Sequence, residues 1–294
     1  MTPTAVTGSV GGAGRRLARW LHRRPRARLA ALLTAPLLWL VLAYLGALAA
    51  LLATSLYSID ELSSAIVHRV GLGNFRTILT EHVYRAVTLR TLRVALAVTV
   101  IDIALAVPIA FYLAKVAGPR VRSLAAVAVL LPLWASYLVK AYAWRAIFTP
   151  SGGVLDRWFG GTPGFGGIAV TVTLAYLWLP YMVLPIFAGL ERLPDSLLEA
   201  SADLGGKAGR TFVSVIVPLL KPAIVAGSIF TFSLSLGDYI AVRIVGGTQQ
   251  MLGGVVYANF VDDLPLAAAY ACVPVVLIVV YLTMARRTGA FENL

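Results

Sequence analysis

Few residues of this chain have the types and spacing that catalysis or metal binding requires. The three histidines are His22, His68 and His82. No two of them stand at metal-ligand spacing. A nucleotide-binding phosphate loop would place glycine five residues before a Gly-Lys pair, and Ser or Thr after it. Around Gly206-Lys207 these positions hold Ser201 and Ala208. The sequence therefore predicts a protein that is not an enzyme and has no catalytic, cofactor-binding or metal residues.

Charged residues inside apolar runs are the next candidates, because a charge in a membrane-spanning segment is costly and usually functional. They are Asp102, Lys140, Arg145 and Asp238. Asp102 stands near the middle of its run, where it could face a partner helix. Aromatic residues recur at helical spacing around Lys140. This aromatic stripe comprises Trp134, Tyr137, Trp144 and Phe148.

Two hypotheses fit these residues. In the first, Asp238, Tyr239 and Lys140 line a translocation path with the aromatic stripe, and Asp238 meets a cationic solute. In the second, Asp238 forms an ion pair with Lys140, Arg145 or Arg243, which neutralises a buried charge. The aromatic stripe then packs in the core or forms a belt at the membrane interface. The sequence leaves both open.

The apolar runs that hold these residues predict an all-α integral membrane protein. Hydrophobic residues make up 59% of the 294 residues and charged residues 13%, with a mean hydropathy of +0.84. A soluble domain needs more polar surface. About 20 apolar residues cross a bilayer as a helix. Six runs of this kind are predicted as spans: about 29–57, 94–114, 123–148, 168–190, 223–244 and 265–284.

Positive charge orients the six spans. Arg and Lys collect in the first 28 residues, in the 115–122 and 191–222 loops, and near the carboxyl terminus. Six spans place all four segments on one side, which is cytoplasmic by the positive-inside rule. Topology then explains the net charge of +12 without a nucleic-acid partner. We expect both termini to be cytoplasmic, with a basic tail at 1–28, a transmembrane domain at 29–287 and a tail at 288–294.

The 191–222 loop is longer than a typical connection between helices. Asp195 is a plausible N-cap for a short amphipathic helix from about Ser196 to Leu204. Gly205-Gly206 should end that helix. A second helical piece is predicted from about Lys207 to Val217, stopped by Pro218, and Pro222 opens the next span. A long ordered loop of this kind usually has a function.

This loop resembles the EAA loop of ABC importer permeases. That family's pattern is Glu-Ala-Ala, three residues, Gly, nine residues, Ile, one residue, Leu-Pro. Matching positions are Glu199, Ala200, Gly205 and Pro218, and conservative departures are Ser201, Val215 and Val217. The resemblance implies that the two helices dock into a cleft of a cytoplasmic ATPase and transmit nucleotide-driven motion. The alternative is an ordinary amphipathic helix at the membrane interface.

Other stretches resemble the spermidine/putrescine permease subfamily of these importers. They are Asn74-Phe75, Leu131-Pro132-Leu133-Trp134, Tyr142-Ala143-Trp144, Leu179-Pro180-Tyr181, Gly237-Asp238-Tyr239 and Val245-Gly246-Gly247. The resemblance implies a type I ABC importer permease fold in the lipid of the bacterial inner membrane. It also implies three kinds of protein partner: a homologous second permease, two cytoplasmic ABC ATPases that hold ATP and Mg, and an extracytoplasmic substrate-binding protein.

The resemblance favours a polyamine as solute. Lys140 weakens this expectation, because a lysine in the path would repel a polycation unless it were paired. Ferric iron, sulfate, molybdate and opine or amino-acid-derivative permeases share much of the pattern and remain alternatives. A secondary transporter, which would favour paired carboxylates and interrupted helices, and a membrane scaffold without a solute are the alternatives from other classes.

Overall fold

The computed structural model describes residues 25–60 and 65–287. The predicted tail at 288–294, and most of the predicted tail at 1–28, lie outside the described residues. The chain divides into two compact units, residues 1–53 and 54–294. The described residues are mainly helical, as the hydropathy predicts.

The first unit contains a long apolar helix. It consists of α1 (Pro25–Trp39), a π-helical turn π1 (Leu40–Leu45) and α2 (Gly46–Thr54). From Leu32 to Thr54 this helix is long and apolar enough to cross a membrane, in agreement with the span predicted at 29–57.

The second unit begins with a small hairpin that the sequence does not predict. β1 (Ser58–Ile59) pairs antiparallel with β2 (Ile66–Val67), and α3 (Gly73–Thr80) follows. The side-chain amide of Asn74 donates to the carbonyl oxygens of Ser55 at 3.0 Å and Tyr57 at 2.8 Å. These two bonds tie α3 to the chain that leads into the hairpin.

The remaining elements run to the end of the described chain. They are α4 (His82–Phe111), π2 (Tyr112–Val116), α5 (Pro119–Trp134), α6 (Tyr137–Phe148), α7 (Val154–Phe159), α8 (Gly167–Glu191), α9 (Ser196–Asp203), α10 (Ala208–Thr211), π3 (Phe212–Ile216), α11 (Val217–Gly237), α12 (Ile240–Val245), α13 (Leu252–Asp262) and α14 (Leu264–Arg287).

Three helices, α4, α8 and α11, pack together at the centre of this unit. Small residues let them approach closely. A Cβ atom added to Gly227 of α11 would lie 2.7 Å from the Met182 sulfur of α8, and one added to Gly189 would lie 3.0 Å from Ala223 Cβ. In a membrane the hydrophobic effect does not drive helices together, because lipid tails are as apolar as the side chains, so helices associate by close packing of small residues.

The predicted third span, at 123–148, is not one straight helix. Within the described residues five helices are long and apolar enough to cross a membrane, and a sixth span results if α5 and α6 count together. These two meet at 97°, because the backbone is extended at Ala135 (ψ 143°) and breaks the helix there. The carbonyl of Pro132, which the break leaves without its helical donor, accepts instead from Lys140 Nζ at 2.8 Å.

The predicted fifth span, at 223–244, also differs from the observed one. Helical structure is continuous from Ala208 to Gly237, through α10, π3 and α11. Pro218 therefore does not stop the helix; it is the second residue of α11, directly after the π-helical turn π3. At the other end α11 stops at Gly237, so Asp238 follows the span rather than lying within it.

Candidate functional site

The residues singled out by the sequence fall in two regions, the 191–222 segment and the surroundings of Asp238. In the first, α9 ends in a glycine turn, as predicted. Gly205 has φ +77°, the left-handed conformation that glycine favours. The amide of Gly206 donates to the Ser201 carbonyl and that of Gly205 to the Ala202 carbonyl, both at 2.8 Å. This pair of bonds is the Schellman arrangement, which satisfies the last carbonyls of a helix.

A hydroxyl pair joins α9 to α10 across this turn. Ser201 Oγ lies 2.7 Å from Thr211 Oγ1. A Cβ at position 206 would lie 2.6 Å from the Ser201 carbonyl oxygen and 3.0 Å from Thr211 Oγ1. The close turn therefore requires glycine at 206 as well as at 205. The Gly-Gly pair predicts the turn from sequence. The hydrogen bond between Ser201 and Thr211 could not be predicted, because the two residues meet only after the turn has formed.

One face of α9 is open to its surroundings. Glu199 and Ala200 are exposed, and Leu204, just past the helix, is 90% exposed. The opposite face is attached through Leu198, which packs against a buried cluster that includes Leu190 and Ile216. α9 is thus held on one side and presents the other.

The approach to α9 is fixed by Lys115 at the end of π2. Its Nζ donates to the Leu193 carbonyl and to Asp195 Oδ1, both at 2.7 Å. Asp195 is the N-cap residue of α9, as predicted, but its side chain makes no cap bond, because its carboxylate turns to Lys115. Sequence reasoning missed Lys115 because it lies 80 residues from Asp195.

Two further residues of the segment lie on its continuation into α11. Val215 is half-buried and lines the narrow gap beneath α9, whereas Pro218 is exposed. Near the start of the segment Arg122 of α5 forms an ion pair with Glu191, the last residue of α8. The segment therefore contains no arrangement for catalysis, but it is a short, exposed helix with defined attachments to three spans.

In the second region, Asp238 connects α11 to α6 and α12. The Tyr137 hydroxyl donates to Asp238 Oδ2, and the Ala241 amide donates to Oδ1 at 2.9 Å. Within the described residues no basic side chain pairs with Asp238, so the predicted ion pair with Lys140, Arg145 or Arg243 is wrong. The physical reason is that Asp238 already accepts hydrogen bonds from the Tyr137 hydroxyl and from the Ala241 amide in the first turn of α12.

The three basic residues proposed as partners are engaged elsewhere. Lys140 Nζ donates to the Pro132 carbonyl at 2.8 Å, and Arg145 donates to the Ile244 carbonyl at 2.6 Å. The Arg243 guanidinium lies over the Tyr257 ring, 5.6 Å from its centroid. Each charge is thus satisfied locally, at a carbonyl or an aromatic face.

An open cavity of about 360 Å³ lies beside Asp238. Its walls include Tyr137, Trp178, Asp238 and Tyr239. The rings of Tyr137 and Trp178 lie 6.1 Å apart, and Tyr239 stacks on Tyr257 at 5.0 Å. The structure therefore brings three of the predicted path residues together, Tyr137, Asp238 and Tyr239.

The other predicted path residues lie outside this cavity. Trp134 is 90% exposed at the end of α5, and Trp144 packs against Phe148 and Tyr176 in the core. The predicted stripe is split because the break at Ala135 places Trp134 and Tyr137 on different helices. Trp178 was missed, since its helix reads from sequence as a uniformly apolar span.

Asp102 is fully buried in α4. From its place in the sequence it could face a partner helix, but the chain's own helices cover it. Within the described residues neither carboxylate oxygen has a hydrogen-bond partner, and the same holds for Thr173 Oγ1 and Trp178 Nε1. Buried polar atoms without partners are rare in folded proteins.

The sequence matches one protein family over most of its length. A family model described as "Binding-protein-dependent transport system inner membrane component" matches residues 13–288. The inner membrane ABC transporter permease protein YdcU of Escherichia coli (strain K12) is 39% identical over 285 residues, covering 90% of each chain. The spermidine/putrescine transport system permease protein PotB of the same organism is 33% identical over 242 residues, covering 79% of this chain and 86% of PotB.

A relative with a different named solute and a solved structure widen the comparison. The molybdenum transport system permease protein ModB of Mycobacterium bovis is 31% identical over 189 residues, covering 63% of this chain and 71% of ModB. A crystal structure of a bacterial alginate ABC transporter, in complex with an alginate-pentasaccharide-bound periplasmic protein, aligns with a TM-score of 0.74. It shares 15% identity over 92% of this chain and 96% of that chain, and this likeness shows the fold alone.

Proposed function

The chain belongs to the binding-protein-dependent transport system inner membrane components, and we propose that its 191–222 segment is where a separate ABC ATPase docks. The protein is an ABC importer permease of the bacterial inner membrane and not an enzyme. The observation that carries the proposal is α9, an exposed helix whose ends are fixed to the spans by a lysine and by a rigid glycine turn.

The geometry of α9 suits the transmission of a movement of the ATPase to the spans. The exposed face carries Glu199, and the turn at Gly205-Gly206 fixes the angle to α10. From α10, helical structure continues without a break to Gly237, beside the Asp238 cavity. Movement of α9 would therefore be passed to the cavity through the continuous helix formed by α10, π3 and α11.

The topology proposed here places both termini and the 191–222 segment in the cytoplasm. The concentration of Lys and Arg in these segments supports that orientation. The partners are a homologous second permease, two ABC ATPases that bind ATP and Mg, and an extracytoplasmic binding protein. The alginate transporter, which was crystallised with its periplasmic protein, offers a parallel for such a complex.

The docking proposal is tested by Glu199→Ala and Gly205→Trp in the full complex. Both variants should insert normally but lose the ATPase on purification, or hydrolyse ATP without importing solute. Glu81→Ala is the matched control, since Glu81 is also an exposed glutamate but lies in the loop expected outside. Normal transport by both variants would contradict the proposal, as would transport that persists without any ATPase subunit, which indicates a secondary transporter.

For the solute we propose a polyamine. The support is the similarity to PotB and the carboxylate of Asp238 set among tyrosine and tryptophan rings, which attract ammonium groups. Lys140 is no obstacle to this cavity, because its ammonium group is bound to the Pro132 carbonyl.

Uptake by the reconstituted complex tests the solute. Labelled putrescine or spermidine should accumulate with ATP, and unlabelled polyamine should compete while sulfate, molybdate, ferric ion and amino acids should not. Asp238→Asn should reduce polyamine uptake, because the amide cannot neutralise an ammonium group. Competition by one of the anions alone would replace the polyamine with that solute and leave the docking proposal intact.

A further inference from the structure

One side chain, Lys115, joins three parts of the proposed coupling apparatus. It lies in π2, where the α4 span ends, and its Nζ donates to the Leu193 carbonyl and to Asp195 Oδ1. Leu193 follows the end of the α8 span, and Asp195 immediately precedes α9. Two spans and the proposed docking helix therefore meet at one ammonium group.

The chemistry of this junction favours a lysine. The carbonyls beyond the last turn of α8 lack helical donors and carry the negative end of the helix dipole, so a cation there is stabilised. A lysine ammonium has three N–H donors and can serve a carbonyl and a carboxylate together. The Lys115 side chain is 11% exposed, whereas that of Asp195 is 75% exposed. The largely covered ammonium makes both bonds stronger than those of an open surface pair.

The other attachments of α9 lead to different places. Ser201 bonds to Thr211 and so connects the far end of α9 to α10 and α11. Leu198 rests on a buried cluster to which α4, α8, π3 and α11 all contribute, so its contact with α4 is apolar. Lys115 supplies the polar connection to α4, the helix that packs against both α8 and α11 in the core.

We propose that Lys115 is a positioning residue for coupling, through which movement of α9 is passed to the α4 span. This inference rests on the proposed docking of the ATPase at α9. When α9 is displaced, the Leu193–Asp195 connection carries Lys115 and the end of α4 with it. Without Lys115, α9 would still present its exposed face and keep its apolar contacts, but it would lose its polar connection to the end of α4.

The chain offers a matched control for this proposal. Arg122 and Glu191 form a second ion pair near the same end of the spans, but it connects α5 to α8 and includes no residue of α9 or of its N-terminal connection. Their side chains are 37% and 43% exposed. Replacing Arg122 with Gln removes one positive charge and one ion pair at the same end of the spans without touching the proposed connection.

The test uses the complete complex in proteoliposomes and measures three quantities: ATPase retained on purification, ATP hydrolysed, and solute imported. Lys115→Gln should retain the ATPase but import about tenfold less solute per ATP, the effect of losing bonds to a charged group. Asp195→Asn should lose less, since the Leu193 bond remains. Lys115→Arg should keep coupling, and Arg122→Gln should stay within about twofold of the wild type, as expected for an exposed pair.

Three results would overturn the proposal. They are unchanged import per ATP in Lys115→Gln, an equal loss in Arg122→Gln, and loss of the ATPase itself from Lys115→Gln, which would make Lys115 part of the docking surface. Failure of the docking proposal is distinguishable, because then the Glu199→Ala variant would hold the ATPase and import solute per ATP as well as the wild-type permease does.

Discussion

At the scale of single residues, hydrogen bonds decide what each charged side chain does. Asp238 is held by the Tyr137 hydroxyl and the Ala241 amide, whereas Asp102 has no hydrogen-bond partner within the described chain. Both are aspartates within apolar runs, and the sequence alone does not distinguish their roles. The structure gives them opposite characters, one a structural link at the edge of a cavity and the other an uncompensated polar group in the core.

Tyr137→Phe tests the link at Asp238. The variant leaves Asp238 Oδ2 without its hydroxyl donor, so we expect a loss of about 1.5–3 kcal/mol of stability, as for a hydrogen bond to a charged group. Thermal unfolding in nanodiscs measures this as a lower midpoint, and polyamine uptake should fall with it. Tyr142→Phe on the same helix is the control, because Tyr142 is 58% exposed. Equal midpoints for the two variants would count against the Tyr137–Asp238 bond.

Asp102→Asn tests whether the Asp102 carboxyl group is buried without a hydrogen-bond partner. Because neither carboxyl oxygen has a partner within the described residues, Asn breaks no hydrogen bond and removes an ionisable group from the core, so the fold should gain up to about 1 kcal/mol of stability. The unfolding midpoint should rise for Asp102→Asn and not for Asp238→Asn, whose carboxylate is hydrogen-bonded. A fall in the midpoint for Asp102→Asn would show that the carboxylate has a stabilising partner.

At the scale of elements, the sequence predicts what depends on local pattern and misses what depends on distant contacts. The apolar runs and the Gly205-Gly206 turn are read correctly, since hydropathy and glycine placement are local signals. The break between α5 and α6 is missed, because Pro132 within an apolar run is compatible with a straight span. The carbonyl freed there is satisfied by Lys140 of the next helix, a contact that exists only once the chain bends.

Pro218 is the converse case. A proline after a polar loop is an ordinary stop signal, but here it directly follows the π-helical turn π3, and the helix continues through it to Gly237. The path residues show the same limit. Tyr137, Asp238 and Tyr239 are found because each stands out in sequence, whereas Trp178 joins them only through packing.

Gly206→Ala tests the turn between α9 and α10. The added Cβ would lie 2.6 Å from the Ser201 carbonyl oxygen, so we expect a cost of about 1–3 kcal/mol from overpacking and separation of Ser201 from Thr211. Hydrogen–deuterium exchange of peptides covering 196–211 should become faster. Gly209→Ala is the matched control, since nothing lies within 4 Å of a Cβ there and alanine favours the helix. Similar exchange in both variants would contradict this role for Gly206.

At the scale of the whole molecule, the chain is an ABC importer permease, and the two proposed sites lie at opposite ends of one continuous helix. One end presents α9, and the far end of α11 meets an aromatic cavity at Asp238. Continuous helix from Ala208 to Gly237 joins the two. In this account energy enters at α9 from a partner and is used at the cavity.

Site-specific photo-crosslinking tests this account most directly. A photoreactive residue at Leu204, which is 90% exposed beside α9, should crosslink to the ATPase subunit in the assembled complex. One at Val261, which is 85% exposed at the end of α13, should not, because that side is expected to face away from the cytoplasm. If the ATPase co-purifies but crosslinks from Val261 and not from Leu204, the docking surface and the orientation proposed here are both wrong.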